Sequence, residues 1–345
     1  MRIAIVNDLP LAVEAIQRVV LAAREHQVAW IARDGEEAVR LCAVDRPDLI
    51  LMDLIMPRID GVEATRQIMR ETPCAIVVVT ADVASRSARV FEAMGAGALD
   101  AVNTPLLEPA PGALDGHALQ AKIETIRRLI GAGSAKQQVQ PSPPGARPSS
   151  REDQPLVAIG ASAGGPAAIA KILTHLHADF PAPIIVVQHV DGQFVQGLAD
   201  WLDYQSPLHV RLAEEGDRPE PGTVLLAGRE QHLVFVTASR LSYSRQPSES
   251  IYRPSIDLFF QSANRFWPGK ITGVMLTGMG RDGAQGLQTL RAGGHHTITQ
   301  DQSSCAVFGM PKAALELNAA REVLPLERIA TRLTSLAAAK IKSHA

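Results

Sequence analysis

Twice along this chain, short apolar runs of strand length alternate with segments of helical periodicity. That alternation predicts parallel strands covered on both faces by helices. In the first stretch the strand-like runs are Arg2–Val6, Val28–Ala32, Leu49–Met52, Ala75–Val79 and Leu99–Val102, with helical patterns at Leu11–Ala22, Gly35–Ala43, Val62–Met69 and Ser85–Met94. The pattern returns at Leu156–Ile159, Ala167–Leu173 (helical) and Ile184–Val187, then at Gly273–Thr277 and Thr297–Gln300. Between the stretches, Gly131–Pro155 is rich in Pro, Ser, Gln and Gly and nearly lacks large apolar side chains, so it reads as a flexible linker that buries too little surface to offset its ordering entropy. A chain of 345 residues is expected to hold two domains. The reading is therefore an α/β domain over 1–125, a linker over 126–155 and a second, doubly wound α/β domain over 156–340.

Composition narrows the functional class. Thirty-four basic residues stand against 36 acidic ones, a formal net charge of -2, which gives no electrostatic case for nucleic acid as a partner. Cys42, Cys74 and Cys305 lie far apart and lack metal-ligand spacing, so they read as core residues of a reducing compartment. The opening MRIAIVNDLP is too short in its apolar run for a signal peptide, and no stretch approaches the roughly 20 apolar residues of a membrane span. A cytoplasmic protein with no direct membrane insertion is expected.

In a parallel sheet, ligands bind beyond the carboxyl ends of the strands. Four of the five strands of the first stretch end there in polar groups: Asn7-Asp8, Asp53, Thr80 and Asn103-Thr104-Pro105. Read alone, Asp8 is a helix cap. Together, two carboxylates converging beside a hydroxyl make a hard oxygen site suited to Mg²⁺, where a carboxylate can accept a phosphoryl group.

These residues carry a resemblance. Asp8, LILMDLIMPRIDG around Asp53, Thr80 and GALDAVNTP are similar to a two-component response-regulator receiver, over residues 1 to about 125. The resemblance implies a flavodoxin-like five-stranded parallel sheet, Asp53 as phosphoacceptor, Asp8 and Asp53 as Mg²⁺ ligands with the Ile55 carbonyl, Thr80 as the switch hydroxyl, and a cognate histidine kinase as phosphodonor. Two positions depart from the family pattern. Asn7 stands where the first of two acids is usual, and Thr104 where a lysine usually precedes the strand-five proline. That lysine contacts the phosphoryl group, so its absence predicts a weakened phosphorylated switch.

In the second stretch the strand Leu156–Ile159 runs into Gly160-Ala161-Ser162-Ala163-Gly164-Gly165-Pro166 and then a helix. Flanking glycines permit a sharp strand-to-helix turn that lifts Ser162 out at the sheet edge, with helix-start N–H groups beside it for an oxyanion. A capped tight turn or a dinucleotide loop has the same outline. A dinucleotide site asks for an acid at the end of the next strand, whereas Ile184–Val187 leads to Gln188-His189. His189 suits a catalytic base, which needs an orienting acid. Asp282, in the glycine-dense loop after Thr272–Thr277, is the first choice; by spacing alone Asp301 and Asp257 stay open.

IGASAGGP, VVQHV, YRPSID, LTGMGRDGAQG and AVFGMPKAA, in that order from Leu156 to about Leu336, resemble the CheB family of chemotaxis-type protein-glutamate methylesterases. The resemblance implies Ser162 as nucleophile, His189 as base and Asp282 as orienting acid. The order Ser, His, Asp sets the domain apart from α/β-hydrolases. Ala163 replaces a common threonine but keeps the backbone N–H. Asn7 and the missing lysine together resemble the branch serving Wsp-type surface sensing, which implies a chemoreceptor-like partner and an output through cyclic-di-GMP. The implied reaction is hydrolysis of glutamate γ-methyl esters on a methylated chemoreceptor-like protein, without a cofactor, under receiver phosphorylation, with deamidation of glutamine as a second activity. The rival from another class is a non-enzymatic receptor-docking adaptor.

Overall fold

The computed structural model describes residues 1–81, 86–106, 116–131, 154–247 and 252–341. Most of the expected linker, 132–153, lies outside the described residues. The chain divides into two compact units, Met1–Gln137 and Gln138–Ala345.

The first unit alternates β1 (Arg2–Val6), α1 (Pro10–Leu21), β2 (Gln27–Ala32), α2 (Gly35–Val44), β3 (Leu49–Met52), α3 (Gly61–Glu71), β4 (Ala75–Thr80), α4 (Ser87–Gly95), β5 (Asp100–Asn103) and α5 (His117–Gly131). The helices start where the sequence supplies caps. Asp34 accepts the Glu37 N–H, Asp60 accepts the Glu63 N–H, and Pro10 opens α1 where no N–H is needed. The strands form one parallel sheet in the order β2-β1-β3-β4-β5. Alternate strand residues Ile3, Ile5, Leu49, Leu51, Val77 and Val79 pack on one face against Ile16, Val20, Leu119, Ile123 and Ile126 of α1 and α5. Ala4, Ile50, Ile76 and Val78 between them are equally buried, so both faces of the sheet are covered and the strands read as unbroken apolar runs. Each such side chain contributes roughly 1.5–3 kcal/mol by leaving water. The last helix runs to Gly131, so a linker beginning at 126 starts inside α5. Ile123 and Ile126 hold that turn onto the sheet.

The second unit comprises β6 (Leu156–Ala161), α6 (Gly165–Leu173), β7 (Ile184–Gln188), α7 (Val195–Gln205), β8 (His209–Leu212), β9 (Thr223–Leu226), β10 (His232–Thr237), β11 (Arg240–Ser244), α8 (Ile256–Phe266), β12 (Ile271–Met275), α9 (Ala284–Ala292), β13 (His296–Gln300), α10 (Met310–Glu316), β14 (Glu322–Leu324) and α11 (Leu326–Ile341). Seven strands make a parallel sheet ordered β14-β13-β12-β6-β7-β9-β8, and β10 pairs with β11 as an antiparallel hairpin. The strand expected at Gly273–Thr277 is displaced to Ile271–Met275. Strands β8, β9 and β14 and the hairpin were not read from apolar runs, because they are short and include polar residues such as His209, Arg211, Thr223, Glu322, His232 and Arg240. Of the three cysteines, all unbridged, Cys42 is buried and the other two are half-buried. Among the described residues no helix is long and apolar enough to cross a membrane.

Candidate active site

Ser162 follows the last residue of β6, the middle strand of the seven. Its turn depends on two glycines. Gly164 has φ 74°, and a Cβ there would lie 2.6 Å from the Ala306 Cβ; a Cβ on Gly165 would lie 2.0 Å from the Gln188 Oε1. Neither position admits a side chain. The Gly165 N–H donates to the Ser162 carbonyl at 2.7 Å, closing the turn, and the Ser162 N–H donates to the Thr277 carbonyl at 3.1 Å. Gln188 Nε2 sits within 2.9 Å of both the Ser162 and the His189 carbonyls, tying the ends of β6 and β7 together.

That tie sets the neighbourhood. Ala161 and Gln188 are register partners on adjacent parallel strands, so the next residues, Ser162 and His189, leave the sheet side by side at about the 4.8 Å strand spacing. The His189 ring is stacked on Tyr252 with centroids 4.8 Å apart and planes 7° apart. Gly280 (φ 86°) permits this close packing, since a Cβ there would approach the Tyr252 hydroxyl to 2.3 Å. His189 Nε2 bonds Asp282 Oδ2 at 2.9 Å, while Nδ1 is buried with no hydrogen-bond partner among the described residues.

Asp282 is 6% exposed and holds four donors. Oδ2 takes His189 and the Ile256 N–H (2.7 Å); Oδ1 takes the Ser255 hydroxyl (2.9 Å) and the Asp257 N–H (3.1 Å). Burial pushes this carboxyl's pKa up, but the bonds from His189, Ile256 and Asp257 prevail and hold it below the ordinary carboxylate range. The structure thus joins Asp282, of the three candidate acids, to His189. Asp301 is bonded instead to Ser303 and Ser304, beyond β13. Asp257 accepts the Gly286 N–H at the start of α9, and burial, then the charge of Asp282, push it up to about 7. No hydrogen bond joins Ser162 to His189 among the described residues; the two are brought together by strand register. Tyr252 and Ser255, within the quoted YRPSID stretch, carry contacts that spacing did not signal, because they come from a loop distant in sequence.

In the first unit, strand order reverses at β1/β3, and the Asp53 N–H donates to the Val6 carbonyl at 2.9 Å, so Asn7-Asp8 and Asp53 emerge from neighbouring strands. Asn7 is buried and its Oδ1 accepts the Leu9 N–H. Asp53 is buried, and burial raises its pKa even though the Leu54 N–H, the Thr80 hydroxyl, the Ile55 N–H and the charge of Arg86 act the other way. An under-compensated buried carboxylate with Asp8 nearby is a hard-oxygen set that fits a divalent cation. Thr80 is fully buried, and Arg86 Nη1 donates to its Oγ1 at 2.8 Å. Thr104, the residue in the lysine position, is half-buried, and its N–H donates to the Thr80 carbonyl.

Residues 157–333 match the CheB methylesterase family and residues 3–109 the response regulator receiver domain family. The chain is 55% identical to protein-glutamate methylesterase/protein-glutamine glutaminase 1 of Burkholderia lata, over 98% of this chain and 99% of that protein. It is 53% identical to protein-glutamate methylesterase/protein-glutamine glutaminase 3 of Pseudomonas aeruginosa, over 97% of this chain and 99% of that protein. The crystal structure of the Thermotoga maritima CheB methylesterase catalytic domain aligns with a TM-score of 0.50 at 36% identity, covering 52% of this chain and 97% of that one. Matches of this breadth, falling on the two units into which the chain divides, mean that it belongs to the CheB methylesterase family, with a response regulator receiver domain ahead of the catalytic unit.

Proposed function

We propose that this enzyme hydrolyses glutamate γ-methyl esters on a methylated chemoreceptor-like protein, with Ser162 as nucleophile, His189 as base and Asp282 as the acid that orients it. The observation that carries this reading is the buried His189–Asp282 pair, stacked on Tyr252 and emerging beside Ser162 from the neighbouring strand. Ser162 Oγ forms the new bond to the ester carbonyl carbon as His189 takes its proton. Because Asp282 occupies Nε2, the receiving nitrogen is Nδ1, which is buried with no hydrogen-bond partner among the described residues. The Ala163 N–H and its neighbours at the start of α6 stabilise the oxyanion. His189 returns the proton to the departing methoxide, methanol leaves, and water attacks the acyl-serine with the same base to free the glutamate. A loose serine–histidine distance before substrate arrives is usual and tightens in the complex. An amide passes through the same tetrahedral intermediate, so deamidation of glutamine is within the site's chemistry. A receptor-docking adaptor has no use for a buried His–Asp pair beside a serine.

Regulation is assigned to the receiver domain, whose last helix α5 ends at Gly131, joined through the segment that follows to the catalytic domain over 156–340. Asp53 accepts a phosphoryl group from a histidine kinase in the cytoplasm, and Thr80 is the switch hydroxyl. Asp8 and Asp53 would hold Mg²⁺, which supplies charge neutralisation during phosphoryl transfer. The test is methanol release from methylated receptor: Ser162→Ala should remain folded and lose the activity, and a folded variant at near wild-type rate refutes the assignment.

A further inference from the structure

A phosphoryl group on Asp53 replaces a single negative charge by one of about −1.5 to −2, in a site whose carboxylate is already buried. Such a group needs a cationic donor at its oxygens, and strand β5 offers the neutral Thr104 in the expected place. We propose that Arg86, at the start of α4, is the cation that receives the phosphoryl group on Asp53 and reports it to α4; the proposal rests on Asp53 being the phosphoacceptor. Arg86 is the N-cap residue of α4 and donates from Nη1 to the Thr80 Oγ1 at 2.8 Å. Thr80 ends β4, whose register with β3 sets Val78 beside Met52, so Thr80 and Asp53 leave neighbouring strands at the same sheet edge as the Arg86 guanidinium.

Three other cations of this unit are held in ion pairs among the described residues. Arg89 pairs with Asp60 at 2.7 Å, Lys122 with Asp100 at 2.5 Å, and Arg58 with Asp34. The partner that Arg86 has among the described residues is a neutral hydroxyl, which a phosphoryl oxygen outcompetes as an acceptor. The planar guanidinium carries enough N–H groups to keep Thr80 and gain phosphoryl oxygens at once.

The probe is beryllofluoride, a phosphoryl mimic, titrated with saturating Mg²⁺ into the full-length chain and followed by ¹⁹F NMR. Arg86→Ala is expected to weaken binding by about 10- to 100-fold, the loss of a charge-assisted bond. Arg86→Lys should recover part of it. Thr104→Lys in the Arg86→Ala background should restore binding, since the cation then arrives from β5. Binding by Arg86→Ala within about twofold of wild type, while Asp53→Asn binds nothing, overturns the role of Arg86 and leaves the phosphoacceptor standing. Loss in Arg86→Ala that neither Arg86→Lys nor Thr104→Lys repairs also overturns it, because the loss is then structural. Undiminished binding by Asp53→Asn removes the reading on which the proposal rests.

Discussion

Replacing Asp282 by Asn keeps the volume of the side chain and turns one acceptor into a donor. Every orientation of the amide then fails. With its nitrogen at the Oδ2 position it faces the Ile256 N–H, now 2.7 Å away, and the Nε2 of His189; at Oδ1 it faces the Asp257 N–H at 3.1 Å. The Ser255 hydroxyl can turn to accept, but a backbone N–H cannot. One buried donor is left unsatisfied, at roughly 1–3 kcal/mol, which for a unit of this size lowers the melting temperature by about 2–12 °C. The catalytic loss is larger. Without a carboxylate the imidazolium is no longer stabilised and the tautomer that frees Nδ1 is no longer enforced, so turnover should fall by up to about 10⁴-fold, as when the acid of a serine protease is amidated. Asp301→Asn is the control, because its carboxylate bonds Ser303 and Ser304 and not His189. The assay is methanol release from methylated receptor under saturating substrate, with thermal melts alongside. Wild-type turnover in Asp282→Asn, or a heavier loss in Asp301→Asn, refutes the assignment of the acid.

Tyr252→Leu removes the stacked ring that fixes His189 while leaving apolar bulk; kcat should fall about tenfold or more with little change in KM, and a selective rise in KM would make Tyr252 a substrate contact instead. Asp257 sits near pKa 7 when folded but near 4 when unfolded, so the folded chain binds the extra proton between those values. Stability is therefore expected to decline as pH rises from about 4 to about 7, and a pH series of denaturant melts should show that slope flattened in Asp257→Asn; an unchanged slope would place the titrating group elsewhere. Limited proteolysis should cut first within the expected linker, at residues that lie outside the described ones, and release a catalytic piece from about Leu156 that keeps or raises the basal activity. Resistance of that segment, or an inactive piece with native circular dichroism, contradicts the two-domain regulatory reading.

The sequence by itself determined what is local. Strands buried on both faces announce themselves as unbroken apolar runs, which is why β1, β3, β4, β6 and β7 stand close to where they were read. Ser162 was legible because a serine between glycines after such a strand has few backbone conformations open to it, and Asp53 and Thr80 because polar residues ending apolar strands point to a sheet edge. Strands β8, β9 and β14 and the β10–β11 hairpin escaped, since short runs that include polar residues blur the pattern. Strand order was decided by tertiary structure alone. His189, Ser162 and Asp282 follow β7, β6 and β12, three consecutive strands of the sheet, whereas Asp301 follows β13, one strand farther out at about 4.8 Å per strand. Spacing along the chain carries no record of that order, so it could not rank the acids. Arg86 lies six residues beyond Thr80 in the chain, but that its guanidinium turns back onto the Thr80 hydroxyl was decided by the fold, which sets where the start of α4 sits over the sheet edge.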